Sequence, residues 1–565
     1  MRFGTSDHVP GIVKNPCSTC KTALHWETVM KLRALLVYPA FSEFSYWNPK
    51  SLYRLAGRKH FMPPLGLMTM AALLPADWEL SLADLNCRTL TDEEIDAADL
   101  IMTGGMITQQ RRTLELIDRV RARSKPVVVG GPDATSQPDK YAAADFLVLD
   151  EAENTLSAFL AALERGERSG VFRRPDPKPD VTAVGVPRFD LVRMEDYLYP
   201  AVQYSRGCPF NCEFCDIIEL YGRVPRTKTP TQFIAELDAL YNRGYRGGVE
   251  IVDDNFIGNK KEVKPMLRAL IVWQEERGWP FYFGTEATLT LAQDEELMGL
   301  MREAQFKRVF LGIETPDPEL LRITQKRQNT LEPVVNSVRK IDSFGMIVSA
   351  GLILGFDGEK TGAGAAIVDL VQAADIPMAM FGLLTSVPNT QLERRLRKEG
   401  RLLKPEGGFR QKAGEDDQLS FGLNYVPSRP RAEILREFKG ALNALYGKRL
   451  YFQRVIRFLK RHDPALRYRS PGAALAGQVS GFLRVLGMYA ARPDLWGSFL
   501  AAIAAGLRFG MSGLNLAVIY CAAFLHFEKQ TVYVSRRLDA QLAEVERAGE
   551  SAYHASRRLE EEAAA

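Results

Sequence analysis

The chain has 565 residues, a formal net charge of +4 and 46% hydrophobic residues. This length is too great for one ordinary domain and predicts two or three, while the composition is typical of a soluble globular protein. The net charge is small and no block of lysine or arginine is present, so we expect no nucleic-acid partner.

The first thirty residues differ from the rest of the chain. They show no apolar periodicity and carry a Cys17-x-x-Cys20 pair, which is weak evidence for a metal site without a second pair. We expect residues 1–30 to be either a spurious extension, with Met30 as the natural start, or a disordered tail. Because this segment also lacks the apolar core of a signal peptide, we expect a cytoplasmic protein.

Residues 31–165 alternate between strand and helix signals. Apolar runs that suit buried parallel strands occupy 34–38, 80–84, 99–103 and 126–130. Glycines follow two of these runs, at Gly104-Gly105 and at Gly130-Gly131. The pattern predicts a doubly wound α/β domain, in which ligands bind at the carboxyl ends of the strands. Glycines at such positions also make ordinary tight turns.

Residues 166–197 are rich in Pro, Asp and Arg, and we expect them to form a linker. A second strand–helix alternation runs over 198–427. Its six strand candidates lie at 201–205, 248–252, 280–284, 308–312, 349–354 and 379–384. Six parallel strands with crossover helices predict a partial (β/α)6 barrel.

Residues 428–565 are predicted to form a mainly helical C-terminal domain. The stretch 495–527 is unusually apolar and approaches the roughly 20 residues that a membrane-spanning helix needs. Glycines break it, so we expect a buried hairpin or a membrane-surface helix in preference to a true span. Basic residues within 431–470 would suit a peripheral contact with anionic headgroups on the inner face of the cytoplasmic membrane.

Three cysteines crowd into eight residues, at Cys208, Cys212 and Cys215. Thiolates are soft, anionic donors that suit iron–sulfur clusters. Three ligands for four irons would leave one iron open to chelate a small molecule. The alternatives are three packed cysteines without metal, or a zinc site. Zinc structural sites usually use four ligands in two pairs, and no partner pair lies nearby.

The CxxxCxxC spacing, with aromatic Phe214 before the last cysteine, resembles the signature of the radical S-adenosylmethionine (SAM) superfamily. The resemblance implies a [4Fe–4S] cluster on the three cysteines, with SAM on the open iron. It further implies that an electron from a flavodoxin- or ferredoxin-type donor cleaves SAM to a 5′-deoxyadenosyl radical, which abstracts hydrogen from the substrate. The SAM contacts implied in this way are Phe214, Asp253, Asp254, Asn255, Glu286, Gly312, Glu314 and Gly355. Either aspartate would also suit a helix N-cap.

The domain before the cysteines resembles the cobalamin-binding module of such enzymes. The resemblance is carried by segments 63–67, 130–132 and 150–153. The cobalamin contacts that it implies are Thr103, Gly104, Gly105, Gly130, Gly131, Pro132 and Glu151. The chain lacks the Asp-x-His-x-x-Gly motif whose histidine ligates cobalt, an absence shared by many methylases of this subfamily.

A closer resemblance, over about residues 31–460, is to the hopanoid C-2 methylase group. The segments that carry it are 102–106, 206–223, 252–261 and 383–390. It implies methyl transfer from methylcobalamin to an unactivated carbon of a hopanoid or similar polycyclic lipid, after hydrogen abstraction. Two alternatives stay open. One is a radical SAM enzyme that methylates or rearranges a tetrapyrrole or a secondary metabolite, and the other is an iron–sulfur electron-transfer or binding protein.

Overall fold

A computed structural model describes residues 31–42, 44–46, 48–404, 422–463, 467–468 and 471–558. The predicted extension 1–30, with Cys17 and Cys20, lies outside these residues.

The first part of the chain is a six-stranded, all-parallel sheet with the order β2-β1-β3-β4-β5-β6. Its strands are β1 Arg33–Tyr38, β2 Glu79–Asp84, β3 Leu100–Gly104, β4 Val127–Gly130, β5 Phe146–Val148 and β6 Gly170–Phe172. Alternate residues of β1 enter two separate apolar clusters, one on each face of the sheet. Helices therefore cover both faces, and the predicted doubly wound fold is confirmed. Strand β6 extends this sheet into the segment predicted as a linker.

The helices around this sheet are short, and local signals define several of them. Thr91 begins the third helix with a capping box in which its side chain and that of Glu94 each accept a backbone N–H. The helices are α1 Lys50–Leu55, α2 Leu65–Ala71, α3 Asp92–Ala97, α4 Gln110–Ala122, α5 Gly131–Ser136 and α6 Ala152–Glu164.

The second part is another parallel sheet, with the order β14-β13-β12-β11-β10-β7. Its strands are β7 Ala201–Val202, β10 Gly247–Ile251, β11 Phe281–Ala287, β12 Phe306–Glu314, β13 Ile347–Leu354 and β14 Met378–Leu383. A small antiparallel hairpin between β7 and β10 is formed by β8 Ser205–Arg206 and β9 Arg226–Thr227. Neighbours in the sheet follow chain order and β7 does not pair with β14, so the sheet is the predicted open barrel.

Crossover helices follow the barrel strands and pack on their outer side. The helices from the hairpin to the end of the barrel are α7 Ile217–Tyr221, α8 Pro230–Asn242, α9 Lys260–Glu276, α10 Glu295–Glu303, α11 Pro318–Ile323, α12 Val334–Ser343, α13 Ala363–Ala373 and α14 Gln391–Lys398.

From residue 431 onward the described residues are mainly helical, as predicted. They form α15 Arg431–Tyr446, α16 Lys448–Arg461, α17 Gly472–Ala490, α18 Trp496–Leu507, α19 Gly510–Ala548 and α20 Glu550–Ala555. One apolar core joins them to the barrel. Buried Arg454 reinforces the junction, because its guanidinium donates to the Ile376 carbonyl at 3.0 Å.

The apolar stretch forms a helical hairpin of α18 and α19. A Cβ atom on Gly506 would lie 2.5 Å from the carbonyl oxygen of Gly513, so glycine allows the two backbones to meet. Within the described residues, α19 is the one helix that is long and apolar enough to cross a membrane, and most of its apolar stretch is buried inside the protein.

Candidate active site

The three cysteines lie in a loop that begins at the β8–β9 hairpin. Gly207 has a φ of +94°, and a Cβ atom there would lie 2.8 Å from the Gly222 carbonyl oxygen. The Cys208 amide donates to that same carbonyl at 3.2 Å. Glycine at 207 is therefore required for the loop to close against the end of α7.

Two side-chain amides approach the cysteine sulfurs. Gln328 Nε2 donates to Cys212 Sγ at 3.5 Å, and Asn255 Nδ2 approaches Cys208 Sγ at 3.8 Å. Burial raises the pKa of the Cys208 and Cys215 thiols, so a metal is needed to hold these sulfurs as thiolates. Donors aimed at sulfur are typical of iron–sulfur sites, where they influence the reduction potential.

No three His, Cys, Asp or Glu side chains among the described residues are arranged to hold one metal ion. Cysteines on a cubane cluster each bind a different iron atom, so a cluster does not require them to converge on one ion. The donor set therefore fits a [4Fe–4S] cluster.

Asp253 anchors the strand that leads into the cysteine loop. Its carboxylate accepts the Tyr204 amide at 2.7 Å, the Ser205 amide at 2.8 Å and the Ser205 hydroxyl at 2.6 Å. Burial raises its pKa to about 7. Both of its oxygens are engaged within the protein, so the geometry supports a positioning role; Asp253 also lines the cavity, and the direct SAM contact that the resemblance implied stays a prediction.

Asp254 and Glu286 offer acidic groups to the same cavity. Asp254 Oδ2 is buried and has no hydrogen-bond partner among the described residues. Burial, followed by the charge of Asp254, raises the pKa of Glu286 to about 8, and burial raises that of Asp254 to about 6. A cationic ligand would lower both values. SAM carries an ammonium and a sulfonium, so these residues fit its binding.

Glu314 and Lys326 form a buried ion pair beside the loop, and each residue is less than a tenth exposed. A Cβ atom on Gly312 would lie 2.5 Å from Glu314 Oε1 and 2.7 Å from Lys326 Nζ, so glycine makes room for the pair. Lys326 Nζ also lies 5.7 Å from the centre of the Phe214 ring. Gly312, Glu314 and Phe214 all line the cavity.

Two of the residues implied for SAM lie away from the cavity wall. Asn255 faces Cys208 instead. Gly355 is held by neighbours: its amide donates to Glu359 at 3.0 Å, and its carbonyl accepts the Tyr425 hydroxyl at 2.7 Å. Their visible contacts support the site, and their direct contact with SAM stays a prediction.

The residues implied for cobalamin lie together at the carboxyl edge of the first sheet, where all seven line the cavity. Gly104 and Gly130 are register partners on β3 and β4. A Cβ atom on Gly104 would lie 2.8 Å from the Gly130 carbonyl oxygen, which leaves a flat, backbone-lined edge. The Thr103 hydroxyl donates to the Val37 carbonyl at 2.8 Å, so its side chain is engaged within the sheet. A flat edge without Cβ atoms fits the approach of a large planar cofactor.

Glu151 connects the two sheets. Its carboxylate accepts from Arg206 at 2.9 Å and from Arg226 at 2.8 Å, and both arginines belong to the β8–β9 hairpin. Glu153 adds a second carboxylate 2.8 Å from Arg206. The edge of the first sheet that carries the implied cobalamin contacts is thus joined by an ion pair to Arg206, two positions before Cys208. Sequence reasoning missed these arginines, as it missed Lys326 and Gln328, because isolated polar residues carry no distinguishing pattern.

The cavity that joins these groups has a volume of about 1520 Å³. Typical small-molecule pockets measure roughly 300–1,000 Å³. Its walls come from the first sheet, the barrel interior and helices α17 and α19, so it has room for more than one ligand.

Three known domains match the chain in order. The B12 binding domain matches residues 54–160, the radical SAM superfamily matches 202–371, and a domain of unknown function, DUF4070, matches 390–540. An uncharacterized methyltransferase of Synechocystis sp. is 49% identical over 77% of this chain and 80% of its own length. The chain belongs to the cobalamin-binding radical SAM methyltransferases. The implied cofactors, a [4Fe–4S] cluster, SAM and cobalamin, are confirmed for this family, and the electron-transfer alternative is wrong.

Other relatives of this methyltransferase carry more specific names. The hopanoid C-2 methylase of Rhodopseudomonas palustris is 39% identical over 66% of this chain and 71% of its own. Among solved structures, the radical SAM methyltransferase TsrM from Kitasatospora setae, with cobalamin and a [4Fe–4S] cluster bound, has a TM-score of 0.57 at 16% identity. The structural match covers 91% of this chain and 100% of the TsrM chain. That likeness supports the fold.

Proposed function

We propose that this methyltransferase adds a methyl group to an unactivated carbon of a hopanoid or a closely similar polycyclic lipid. The observation that carries the proposal is the 39% identity with the hopanoid C-2 methylase, which extends across 376 residues. A bacteriochlorophyllide d methyltransferase of Chlorobaculum tepidum is only 21% identical over 58% of this chain. A tetrapyrrole substrate is therefore the weaker candidate.

The cavity supports this assignment. When bound, the cofactors supply hydrogen abstraction and a methyl donor for a carbon that is neither acidic nor nucleophilic. The protein's part is to hold an apolar substrate between the Gly104–Gly130 edge and the carboxyl ends of the barrel strands, away from water. Leu516, Ile519 and Phe527 of α19 contribute apolar wall to this space.

The test is expression of the gene in a hopanoid-making bacterium that lacks C-2 methylation, followed by mass spectrometry of the extracted hopanoids. We expect a new species heavier by one methyl, which carries the label when methyl-deuterated methionine is fed. The Cys212→Ala variant is the control and should give no product. Unchanged hopanoids, with cluster and cobalamin shown to be loaded, would contradict the substrate and leave the family assignment intact.

We also propose that the enzyme takes its lipid from a bilayer through α17, α18 and the α18–α19 turn. This surface exposes Val479, Leu483, Leu500, Leu507 and Met511, and Met511 also lines the cavity. Between residues 464 and 527 the sequence has one acidic residue, at 494, and five arginines, of which Arg492 pairs with Glu528 and Arg484 donates to the Leu55 carbonyl. Arg508 follows exposed Leu507 at the end of α18. An apolar surface beside an arginine suits an anionic membrane interface.

Basic residues within 431–470 were predicted to contact the membrane, but three of them form ion pairs within the protein. Arg436 pairs with Glu546, Arg457 with Asp375, and Arg461 with Asp342. The membrane surface proposed above therefore lies further along the chain.

Vesicle sedimentation tests this surface without any dependence on the substrate. We expect the wild type to sediment with vesicles that contain phosphatidylglycerol, and the Leu500→Glu/Leu507→Glu variant to remain in the supernatant. Val272→Glu, at an exposed apolar residue of α9, is the matched control and should behave as wild type. Equal sedimentation of all three proteins would refute the proposed surface.

A further inference from the structure

The cavity has a polar end that neither the cofactors nor the proposed chemistry uses. It is formed by four tyrosines, a lysine and an ion pair that all line the cavity. We name this group the tyrosine pocket: Tyr199, Tyr245, Tyr282, Tyr468, Lys307 and the pair Arg308–Glu250.

Two adjacent glycines at the start of β10 make space for the tyrosine rings. A Cβ atom on Gly248 would lie 2.6 Å from the Tyr199 ring and 2.8 Å from the Tyr282 ring. A Cβ atom on Gly247 would lie 3.2 Å from the Tyr245 hydroxyl. The rings of Tyr282 and Tyr468 meet edge to face at 4.9 Å between centres. The side chains therefore form one packed group.

Three donors of the tyrosine pocket are not used by the protein. Among the described residues, Lys307 Nζ and the hydroxyls of Tyr199 and Tyr282 have no hydrogen-bond or ion-pair partner, although all three residues line the cavity. The nearest ring to Lys307 Nζ is that of Tyr282, at 5.2 Å from its centre. Glu250, the acid of the pocket, is already paired with Arg308, which also lies 4.6 Å over the Tyr199 ring.

The pocket therefore carries a net positive charge and a set of free donors. Burial, with the nearby charge of Arg308, lowers the pKa of Lys307 to about 8, as expected for an ammonium without a counter-ion. Donors inside a cavity are normally satisfied by a partner. A group rich in acceptor oxygens would satisfy these donors.

We propose that the tyrosine pocket binds an oxygen-rich polar group at the end of the substrate far from the methylated carbon, with Lys307 and Tyr282 as specificity-determining residues. This inference rests on the proposed function, because it assumes that the proposed polycyclic lipid carries a hydroxylated or anionic tail. Donors and aromatic rings together suit such a group, since the rings pack on its carbon atoms while the donors reach its oxygens.

The spacing along the strands agrees with an extended substrate. Tyr282 and Glu286 lie on the same face of β11, four residues apart, which corresponds to about 13 Å. Lys307 and Glu314 stand near opposite ends of β12, seven residues apart, or roughly 23 Å. A molecule whose tail occupies the tyrosine pocket would place its other end near Glu286, on the side of the cysteine loop.

The test compares wild type, Lys307→Met and Tyr282→Phe in hopanoid-making cells that contain hopanoids with and without a hydroxylated side chain. We expect Lys307→Met to reduce methylation of the tailed species roughly 10- to 150-fold, the range for one hydrogen bond to a charged group. Methylation of the tail-free species should stay within about 2-fold. Lys340→Met, at a lysine on α12 that does not line the cavity, is the matched control. Equal loss for both species, or no loss, would overturn the proposal.

A second measurement keeps the inference separate from the identity of the lipid. Holoenzyme purified without oxygen is extracted, and the bound lipids are identified by mass spectrometry. We expect wild type to retain a lipid with several oxygens and Lys307→Met to retain much less of it. The mass of the retained lipid shows whether its polar group is a neutral polyol or an anion. Retention of hydrocarbons only, or equal retention by both proteins, would refute the tyrosine pocket even if hopanoids proved not to be the substrate.

Discussion

Replacement of Lys326 by methionine tests whether the buried ion pair with Glu314 holds the site together. Lys326 is 8% exposed and Glu314 is 6% exposed, so both charges are shielded from water. Methionine keeps the length of the side chain but removes the ammonium, and it leaves the carboxylate without a partner among the described residues. Removal of one partner from a buried pair costs about 3–5 kcal/mol.

This free-energy cost can be converted into an expected decrease in melting temperature. For a unit of the size of this barrel, 1 kcal/mol corresponds to about 2–4 °C, so the barrel transition of Lys326→Met should fall by roughly 6–20 °C. Differential scanning calorimetry of the full chain, loaded and kept without oxygen, measures the shift. The double variant Lys326→Met/Glu314→Gln should recover most of it, because no lone charge remains buried.

The comparison of the two variants decides the question. If the double variant were as unstable as Lys326→Met, the loss would come from altered packing and not from an unpaired carboxylate. If Lys326→Met melted within about 2 °C of wild type, the ion pair would contribute little stability, and the reasoning from burial would be refuted.

Three further outcomes are expected. Cys212→Ala should abolish the cluster absorbance and reductive SAM cleavage, whereas Cys87→Ala, outside the cavity, should retain both. Gln328→Leu removes the donor to Cys212 Sγ and should lower the cluster's reduction potential in a redox titration, because a hydrogen bond to sulfur favours the more negative reduced state. Gly506→Ala should weaken the α18–α19 hairpin by about 1–3 kcal/mol through the backbone clash, whereas Gly497→Ala, with free space around it, should be neutral or stabilising in thermal unfolding.

Most strands of the two sheets could be predicted because each is a buried apolar run with a helix behind it. Strands β5 and β6 were missed as strands, since each has only three residues and too little periodicity to be recognised. The first became visible only beside β4, and the second lies in a segment whose prolines and charges suggested a linker.

The residues of the candidate site also fall into two groups, those that the sequence predicts and those whose role only the fold shows. Cys208, Cys212 and Cys215 could be predicted as cluster ligands from their spacing, because a loop of eight residues keeps three sulfurs close without help from the rest of the fold. Asp253 shows the limit of that approach. Its position after β10 was apparent, yet only its contacts with Tyr204 and Ser205 show that it supports the loop.

The sequence alone therefore predicted the cluster ligands from their spacing, the order of the domains from local periodicity, and the class of chemistry from the family resemblance that its motifs carry. Only the tertiary structure joined Glu151 to Arg206, Gln328 to Cys212, and Gly248 to the two tyrosine rings that flank it. Such contacts link residues that are tens or hundreds of positions apart. They depend on how strands and loops pack in space, and single polar residues in a sequence do not reveal which partner the fold will bring to them.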